Sequence, residues 1–187
     1  TRRSSDLPAQ GNPVFNADST NALPEIWAIG FRNPQGIAFN PATGDLWEDE
    51  HGTQGGDEVN IVHAGKNYGW PVIAYGSEYD WRPIEQGITQ KEGMEQPVYY
   101  WDPTIAPSGC TFYTGTAIPE WKNNMFIAAL AGQHLVRLVI KNNKVVGEER
   151  LLLDQHQRIR DVVMGPDGNL WVVTDADNGR LIRISKK

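Results

Sequence analysis

Five carboxylates, one histidine and three glycines lie within the fourteen residues from Trp47 to Asn60, WEDEHGTQGGDEVN. Such a stretch could bind a metal ion, supply an acid/base pair, or form a polar loop. It does not follow the EF-hand pattern, but calcium also binds carbonyl oxygens of irregular Gly-rich backbone. A zinc site is not expected, because His51 has no second His or Cys at ligand spacing and His63, His134 and His156 are scattered.

The five carboxylates of this stretch are not equivalent. Glu48 and Glu50 alternate with Trp47 and Asp49 on an expected strand. We expect the face that carries them to be solvated and their carboxylates to be ordinary surface charge. Asp57 and Glu58 directly follow a Gly-Gly pair and enter the next strand. These two remain candidates for a functional role.

A second constellation is GFRNPQG, Gly30 to Gly36. Arg32, Asn33 and Gln35 place one guanidinium fork and two amides on a turn between two expected strands. Such a turn could present planar donors to a carbonyl or carboxylate ligand. The alternative is a polar connection whose arginine makes a surface ion pair.

Two arginines begin another expected strand, in QRIRD. Arg158 and Arg160 share one strand face because side chains alternate. Two adjacent guanidiniums repel each other unless an anion or carboxylate lies between them. A ligand with carboxylates would supply it, and so would a structural partner, namely Asp154, Asp161 or Asp175.

Aromatic residues cluster in KNYGWP, Lys66 to Pro71, with Tyr75 and Tyr79 beyond. They could form a stacking wall for a flat cofactor or a sugar ring, or a small satellite core under a loop. No P-loop, nucleophile elbow, GxGxxG or CxxC motif occurs, so nucleotide-dependent chemistry and covalent Ser or Cys catalysis have no support. The single Cys110 cannot close an intrachain disulfide and is expected to be a small buried residue.

The composition indicates which elements position these residues. The chain has 187 residues, 40% of them hydrophobic, and a net charge of −6, which gives no reason to expect a nucleic-acid or anionic membrane partner. No run approaches the roughly 18 apolar residues of a membrane span, and the opening TRRSSDLPAQGNP lacks the apolar core of a signal peptide. Seven Trp, 19 Gly and 12 Pro favour many short strands joined by loops.

Helical periodicity is almost absent, whereas runs of four to seven residues bounded by turn residues are frequent. The stretch 65–96 is predicted to be a long irregular loop, and 1–23 an extended N-terminal segment. The predicted strands are Glu25–Gly30, Gly36–Asn40, Asp45–Asp49, Glu58–Val62, Pro97–Trp101, Cys110–Tyr113, Met125–Leu130, Leu135–Ile140, Lys144–Val146, Glu149–Leu153, Ile159–Met164, Leu170–Thr174 and Leu181–Ile184.

Two stretches repeat, GIAFNPATGDLWEDE at 36–50 and DVVMGPDGNLWVVTD at 161–175, and 110–130 is a looser version. Units of roughly 50 to 60 residues are typical of β-propeller blades, with an open β-sandwich as the alternative. The sequence therefore predicts an all-β fold, a single partial β-propeller domain of about three blades over 1–187. Because a closed ring needs at least four blades, we expect a fragment, a subunit that pairs with a second copy, or a chain without its first half.

These motifs occur together in one known family. The runs GFRNPQGIAFNP, GDLWEDEHG, GGDEVNIV, GKNYGWP, EQPVYYWDPTIAPSG and QRIRDVVMGPDGNLWVVTD resemble the soluble pyrroloquinoline-quinone-dependent aldose sugar and glucose dehydrogenases, six-bladed propellers. The resemblance runs from about Pro24 to Ser185. It implies oxidation of an aldose to a lactone, with proton loss to a histidine, hydride transfer to the quinone PQQ, a Ca²⁺ that polarises the cofactor, an external electron acceptor, and a periplasmic or secreted location.

The resemblance also implies roles for individual residues. Arg32 and Asn33 would contact the quinone oxygens, where Arg32 stabilises developing negative charge. Gln35, Tyr79 and Thr104 would line the cofactor pocket, and Arg158 and Arg160 would neutralise cofactor carboxylates. The carbonyls of Gly52 and Thr53 would reach the cofactor-bound calcium, whereas Glu58 and the Tyr68 main chain would bind a second, structural calcium.

The chain departs from the family pattern in several places. The family's catalytic histidine lies upstream of the matching region, so no histidine of this chain is assigned as the general base. Phe31 stands where many members have His, Thr53 where many have Pro, and Ala131 where some have a cofactor-binding Lys. The alternative function is a non-catalytic propeller fragment that binds a sugar or a partner, or that self-associates through its open blade edges.

Overall fold

The computed structural model describes residues 25–186 as a nearly all-β chain. Short runs of β-branched and aromatic residues, separated by Gly, Pro, Asn and Asp, form strands joined by tight turns. The strands are β1 Pro34–Phe39, β2 Leu46–Glu50, β3 Asp57–Val62, β4 Tyr99–Trp101, β5 Pro107–Phe112, β6 Met125–Ala129, β7 His134–Lys141, β8 Lys144–Leu151, β9 Ile159–Met164, β10 Leu170–Thr174 and β11 Leu181–Ile184. Within the described residues, two single-turn 3₁₀ helices span Pro119–Trp121 and Leu153–Gln155.

The strands form three antiparallel sheets, here called blades 1, 2 and 3. Blade 1 has the order β1-β2-β3-β4, blade 2 the order β5-β6-β7-β8, and blade 3 the order β9-β10-β11. The first strand of each blade packs against the first strand of the next, β1 on β5 and β5 on β9. This arrangement confirms the predicted partial propeller of three blades.

The sequence repeats coincide with the first hairpin of each blade. The two clear repeats are β1–β2 and β9–β10, and the looser one is β5–β6. Gly44 and Gly168 end the turns of the clear repeats with φ of +79° and +75°, a backbone conformation that is strained for other residues. The repeated Pro and Gly residues therefore mark the chain reversals that begin each blade.

Two strand predictions were wrong in detail. The predicted strand Glu25–Gly30 makes only an isolated bridge, Ile29 with Asn67, because it lies on the covering segment before blade 1. The predicted strands Lys144–Val146 and Glu149–Leu153 form the single strand β8. Gly147, which lies between the two predicted strands, pairs with Val139 beside a β-bulge.

The core lies in two layers on either side of blade 2. Met125 and Ile127 of β6 face the layer shared with blade 1, which contains Trp47. Phe126 and Ala128 face the layer shared with blade 3. Because β6 is buried on both faces, its sequence is a continuous apolar run instead of an alternation.

Apolar side chains also remain exposed at the two ends of the blade series. Ile37 and Phe39 of β1 are 66% and 70% exposed and line a groove of about 860 Å³ together with Trp27. On blade 3, Val163 and Leu181 are exposed as well. The outer faces of blades 1 and 3 thus expose apolar side chains, whereas apolar side chains between two blades are buried in the core layers. No helix within residues 25–186 is both long enough and apolar enough to cross a membrane.

One buried carboxylate lies between blades 1 and 2. Asp49 is fully buried, and neither oxygen has a hydrogen-bond partner of normal geometry among the described residues. Burial raises the pKa of Asp49 to about 7, although the nearby Cys110 thiol and Gly36 N–H lower it in part. Cys110 is half-buried against this carboxyl, and burial raises the pKa of its thiol.

We expect Asp49 to make stability depend on pH. The unfolded residue releases its proton near the ordinary pKa of 3.8, whereas the native residue retains it up to about pH 7. The native state therefore binds more protons between these values, and the free energy of unfolding falls as pH rises, by up to about 1.4 kcal/mol per pH unit. In urea unfolding from pH 4 to 8, Asp49→Asn should lose this component and gain stability relative to wild type until about pH 7. The exposed Asp154→Asn should follow wild type, and identical pH profiles for Asp49→Asn and wild type would contradict the assignment.

Candidate functional site

The predicted site residues gather at one rim of the blades. Arg32 precedes β1, His51 to Gly56 connect β2 to β3, Thr104 precedes β5, Arg158 precedes β9, and Asp175 follows β10. In antiparallel sheets, the starts of first strands and the ends of second strands lie at the same edge. Cross-blade contacts confirm the alignment, because His51 Nε2 lies 2.6 Å from the Pro107 carbonyl and Ser108 donates to the Ile159 carbonyl.

Arg32 is fixed from both its backbone and its side chain. The N–H groups of Arg32 and Asn33 donate to Glu50 Oε2 at 2.6 and 3.0 Å. The guanidinium donates from Nη1 to the His51 carbonyl at 3.1 Å and from Nη2 to the Tyr79 hydroxyl at 3.3 Å. Arg32 and Tyr79, predicted from distant parts of the sequence, are therefore in contact, and the guanidinium fork has a defined orientation at the rim.

The two amides of the same turn bind each other. Gln35 Nε2 donates to Asn33 Oδ1 at 3.0 Å, and both side chains are exposed. Gln35 and Arg160 also line one cleft of about 390 Å³ with Ser108 and Asp161. This cleft spans all three blades, and it brings together residues that are 125 positions apart in the sequence.

Arg158 and Arg160 share a carboxylate. Arg158 donates to Asp175 Oδ2 from Nε at 2.9 Å and from Nη2 at 2.8 Å, and Arg160 Nη2 donates to the same oxygen at 3.1 Å. Hydrogen bonds from Arg158 and then Arg160 lower the pKa of Asp175. Of the three structural partners that the sequence suggested, Asp175 is the one in contact. The pair is thus arranged to bind a carboxylate oxygen between its two guanidiniums.

All four predicted metal-binding residues line one small cavity of about 20 Å³. Gly52 and Thr53 come from the β2–β3 connection, Glu58 from β3, and Tyr68 from the segment that follows. A cavity of this size holds one water molecule or one ion. The structure therefore brings to one cavity the residues that the resemblance divided between two calcium ions.

Buried carboxylates surround this cavity. Glu50 and Glu58 line it, and burial raises the pKa of both, that of Glu58 to about 8. Glu48 is two residue pairs further along the same strands. Asn60 Nδ2 donates to its Oε1 at 2.8 Å, while its Oε2 has no partner among the described residues. A bound cation would offset this unfavourable burial of negative charge.

The expectation that Glu48 and Glu50 are solvated surface charge was wrong, because they are only 3% and 4% exposed. Alternation correctly placed them on one strand face, but it does not determine what covers that face. The segment before β1 covers it: Phe31 stacks on Tyr68 at 4.6 Å and lines the same groove as Glu48. Burial raises the pKa of Glu48 well above its ordinary value.

A cation at this cavity would depend largely on backbone oxygens. No three His, Cys, Asp or Glu side chains converge as a ligand set within the described part of the chain. Calcium accepts backbone carbonyls and water alongside a carboxylate, so Glu58 with the surrounding carbonyls suits a hard cation better than zinc. The donor set and the cavity volume therefore fit calcium.

The aromatic segment contributes both to packing and to the rim. Tyr75 stacks on Tyr100 at 4.1 Å, and the Tyr68 hydroxyl donates to the Ile61 carbonyl, so both rings belong to a satellite core. Trp70 lies under the Arg32 guanidinium at 5.3 Å. Tyr79, at 66% exposure, keeps an open ring face. Only part of the predicted stacking wall is therefore available to a ligand.

Sequence reasoning missed Glu50, which accepts both N–H groups of the Arg32 turn. The signal was present in the register, since Pro34 of β1 pairs with Glu50 of β2. A carboxylate at that position faces the turn that precedes β1. Thr104, by contrast, was predicted and lies half-buried at the same rim.

With this geometry established, comparison with known proteins assigns the family. A family model described as glucose/sorbosone dehydrogenase matches residues 4–183. The chain belongs to the glucose/sorbosone dehydrogenase family. Within the family it is 43% identical over 177 residues to the aldose sugar dehydrogenase YliI of Escherichia coli (strain K12), covering 94% of this chain and 47% of that protein. It is 27% identical to quinoprotein glucose dehydrogenase B of Acinetobacter calcoaceticus, covering 88% of this chain and 45% of that protein.

Solved structures of a glucose dehydrogenase and of an aldose sugar dehydrogenase share this fold. A glucose dehydrogenase crystal structure is 44% identical with a TM-score of 0.92, covering 98% of this chain and 53% of the other. The PQQ-bound aldose sugar dehydrogenase of Streptomyces coelicolor is 27% identical with a TM-score of 0.71, covering 97% of this chain and 49% of the other. The chain spans about half the length of the proteins it matches.

We expect Glu58 to make calcium binding stabilise the chain. A ligand present at about 100 times its Kd adds roughly 2.7 kcal/mol, which corresponds to several degrees in Tm. Excess CaCl₂ should raise Tm for wild type in differential scanning fluorimetry, and Glu58→Gln should abolish most of that shift. The variant should not lower the calcium-free Tm at pH 8, because the neutral amide avoids burying a charge. The exposed Glu92→Gln is the matched control. An unchanged calcium shift in Glu58→Gln would contradict this ligand.

Proposed function

We propose that the chain forms part of a PQQ-dependent aldose dehydrogenase, which oxidises sugars such as glucose to lactones. The observation that carries this proposal is the convergence at one rim of the Arg32 fork, the paired Arg158 and Arg160, and an ion-sized cavity lined by Glu58. An anionic quinone with a calcium ion needs cations for its carboxylates and oxygens for the metal. The family membership and the PQQ-bound relative support the choice of cofactor.

The residues at the rim fit the proposed cofactor. Arg158 and Arg160 both donate to one carboxylate oxygen of Asp175. The spacing of the two guanidiniums therefore also suits a carboxylate of the cofactor. The Gly52 and Thr53 carbonyls would bind the calcium at the cofactor, and Glu58 with the Tyr68 carbonyl a structural calcium. The absence of a lysine at Ala131 leaves the arginine pair as the main cationic contact.

Each remaining residue would act on the bound quinone, which supplies the hydride acceptor. Arg32 would stabilise negative charge at a quinone oxygen, since its orientation is fixed before reaction by Glu50, the His51 carbonyl and Tyr79. Asn33 would contact the same oxygens. Gln35, Tyr79 and Thr104 would line the pocket.

The proposal assigns the general base to a histidine outside this chain. His51 Nε2 is engaged with the Pro107 carbonyl at 2.6 Å, and His134 is buried with Nδ1 on the Gly132 carbonyl. Burial lowers the pKa of His134. The chain would therefore contribute the cofactor cradle, with an external electron acceptor and a periplasmic or secreted location as the resemblance implies.

The first test separates cofactor binding from turnover. The chain with PQQ, Ca²⁺, glucose and an artificial dye should bind cofactor weakly but reduce dye no faster than a protein-free blank, because general-base catalysis and cofactor binding contribute separately to the free energy. Absorbance titration measures binding and dye bleaching measures turnover. Dye reduction well above the blank would contradict the absence of a base, and no PQQ binding at all would contradict the cradle.

The second test removes the arginine pair. Arg158→Ala with Arg160→Ala should weaken PQQ binding by at least about a hundredfold, because two charge-assisted contacts of about 1.5–3 kcal/mol each are lost. Lys141→Ala with Arg183→Ala removes the same charge from exposed positions on β7 and β11 and should leave binding unchanged. Equal PQQ affinity in wild type and the Arg158/Arg160 variant would overturn these roles.

A second candidate function is a self-associating propeller module, which the exposed apolar face of blade 1 favours. If the groove beside Ile37 and Phe39 binds another blade, the chain should dimerise with increasing concentration in light scattering. Ile37→Lys with Phe39→Lys should then abolish the dimer, whereas Val146→Lys on the exposed outer strand β8 should not. A monomer at all concentrations would exclude this candidate.

A further inference from the structure

Asp57 is a buried carboxylate that binds backbone from two different blades. It begins β3 and is 1% exposed. Its Oδ1 accepts from the Gly52 N–H at 2.9 Å, and its Oδ2 accepts from the N–H groups of Ile105 and Ala106, both at 2.7 Å. The carboxylate therefore satisfies three backbone donors, one in blade 1 and two in the segment that enters blade 2.

Both of these backbone segments carry residues of the proposed cradle. Gly52 and Thr53 supply the proposed calcium-binding carbonyls, and Thr104 directly precedes Ile105. Because each backbone N–H shares its peptide plane with the preceding carbonyl, the bond to the Gly52 N–H orients the His51 carbonyl, which accepts from Arg32 at the start of the same turn. The bond to the Ile105 N–H orients the Thr104 carbonyl in the same way.

The segment entering blade 2 needs such a restraint. Ala106 has φ of +52°, a conformation that costs energy for a residue with a Cβ and persists where its surroundings hold it. Its N–H is bound by Asp57, and its carbonyl accepts from the Leu130 N–H at 2.9 Å. The turn of blade 1 is also held independently, since Gln54 exchanges two backbone hydrogen bonds with Ser77. Asp57 thus binds both segments through one side chain, in addition to the contact of His51 with the Pro107 carbonyl and the bond from the Gly56 N–H to the Trp101 carbonyl.

We propose that Asp57 is a positioning residue, which sets the spacing between the calcium-binding turn of blade 1 and the cofactor-lining segment of blade 2. The proposal rests on the proposed function of the rim. Asp57 does not itself touch the cofactor in this scheme. It acts through Gly52 and Thr104, so its loss changes the calcium requirement for cofactor binding.

A carboxylate is required here because all the neighbouring groups are donors. Asparagine has the same shape but only one acceptor oxygen, and its NH₂ group is a donor. Asp57→Asn must therefore release either Gly52 or the Ile105–Ala106 pair. Asn124→Asp is the matched control, since Asn124 is 4% exposed and bonds to the Glu120 carbonyl and the Ile140 N–H in blade 2, away from the rim.

The test compares the full chain with both variants by two measurements. Amide hydrogen exchange, followed by NMR, reports on the N–H groups of Gly52, Ile105 and Ala106. Titration with PQQ at a series of CaCl₂ concentrations gives the calcium midpoint for cofactor binding. Asp57→Asn should speed exchange at one or both segments and raise the calcium midpoint about tenfold or more, as for residues that orient metal ligands. Asn124→Asp should leave the exchange rates of these three amides and the calcium midpoint at wild-type values.

The outcomes distinguish this proposal from the proposed function. Unchanged exchange at all three amides in Asp57→Asn would overturn the connection, and altered exchange with an unchanged calcium midpoint would overturn the positioning role. If wild type binds no PQQ, the proposed function fails, and with it the positioning of a cofactor site. Asp57→Ser, which keeps one acceptor without adding an NH₂ group, replaces Asp57→Asn if the latter does not fold, and the same outcomes decide.

Discussion

Buried carboxylates that accept hydrogen bonds from backbone N–H groups hold the rim of this structure together. Glu50 binds the turn that carries Arg32, and Asp57 binds the turn of Gly52 and the segment after Thr104. Turns between strands have N–H groups that no ladder satisfies, and leaving them unpaired in a buried site is costly. Carboxyl oxygens on β2 and β3 meet this need, and they fix the loops that the proposed cofactor would contact.

The same region concentrates carboxyl groups where they are least solvated. Burial raises the pKa of Glu48, Glu50 and Glu58, so their ionised forms are unfavourable unless a cation binds beside them. Elsewhere at the rim, Arg158 and Arg160 carry positive charge, and among the residues that the structure describes both of them pair with Asp175. The site thus has a carboxyl-rich side suited to a cation, where Arg32 also lines the cavity, and a cationic side suited to a carboxylate. A ligand that carries both a metal ion and carboxylates is complementary to this polarity.

Much of the fold could be predicted from the sequence. Strand alternation, turn residues and the repeated Pro-Gly hairpins located the strands of all three blades, because each depends on local sequence. The errors arose where tertiary contacts decided the outcome. Residues 25–30 had strand-like composition, but in the structure they form only an isolated bridge with Asn67. Gly147 lies within β8, where the side chain of its partner Val139 packs beside it.

The site was less predictable. The residues named from the resemblance gather at one rim, as strand direction requires, but their partners depended on contacts between blades. Asp175 could not be chosen over Asp154 or Asp161 from the sequence, because those two lie nearer the arginines in the chain and Asp175 reaches them only through the pairing of β10 with β9. Likewise, the burial of Glu48 and Glu50 depended on Phe31 and Tyr68, which cover that strand face from outside the sheet.

The two-sided burial of β6 links the two core layers mechanically. Adjacent residues Met125 and Phe126 belong to different layers, so a displacement of this strand disturbs the contacts of blade 1 and of blade 3 together. Blade 2 cannot unfold while both core layers stay intact, because each layer contains side chains of β6. Neither blade 1 nor blade 3 can separate from it without exposing one side of β6. The three blades therefore behave as one cooperative unit, with blade 2 as the element through which loosening at either open end spreads to the other.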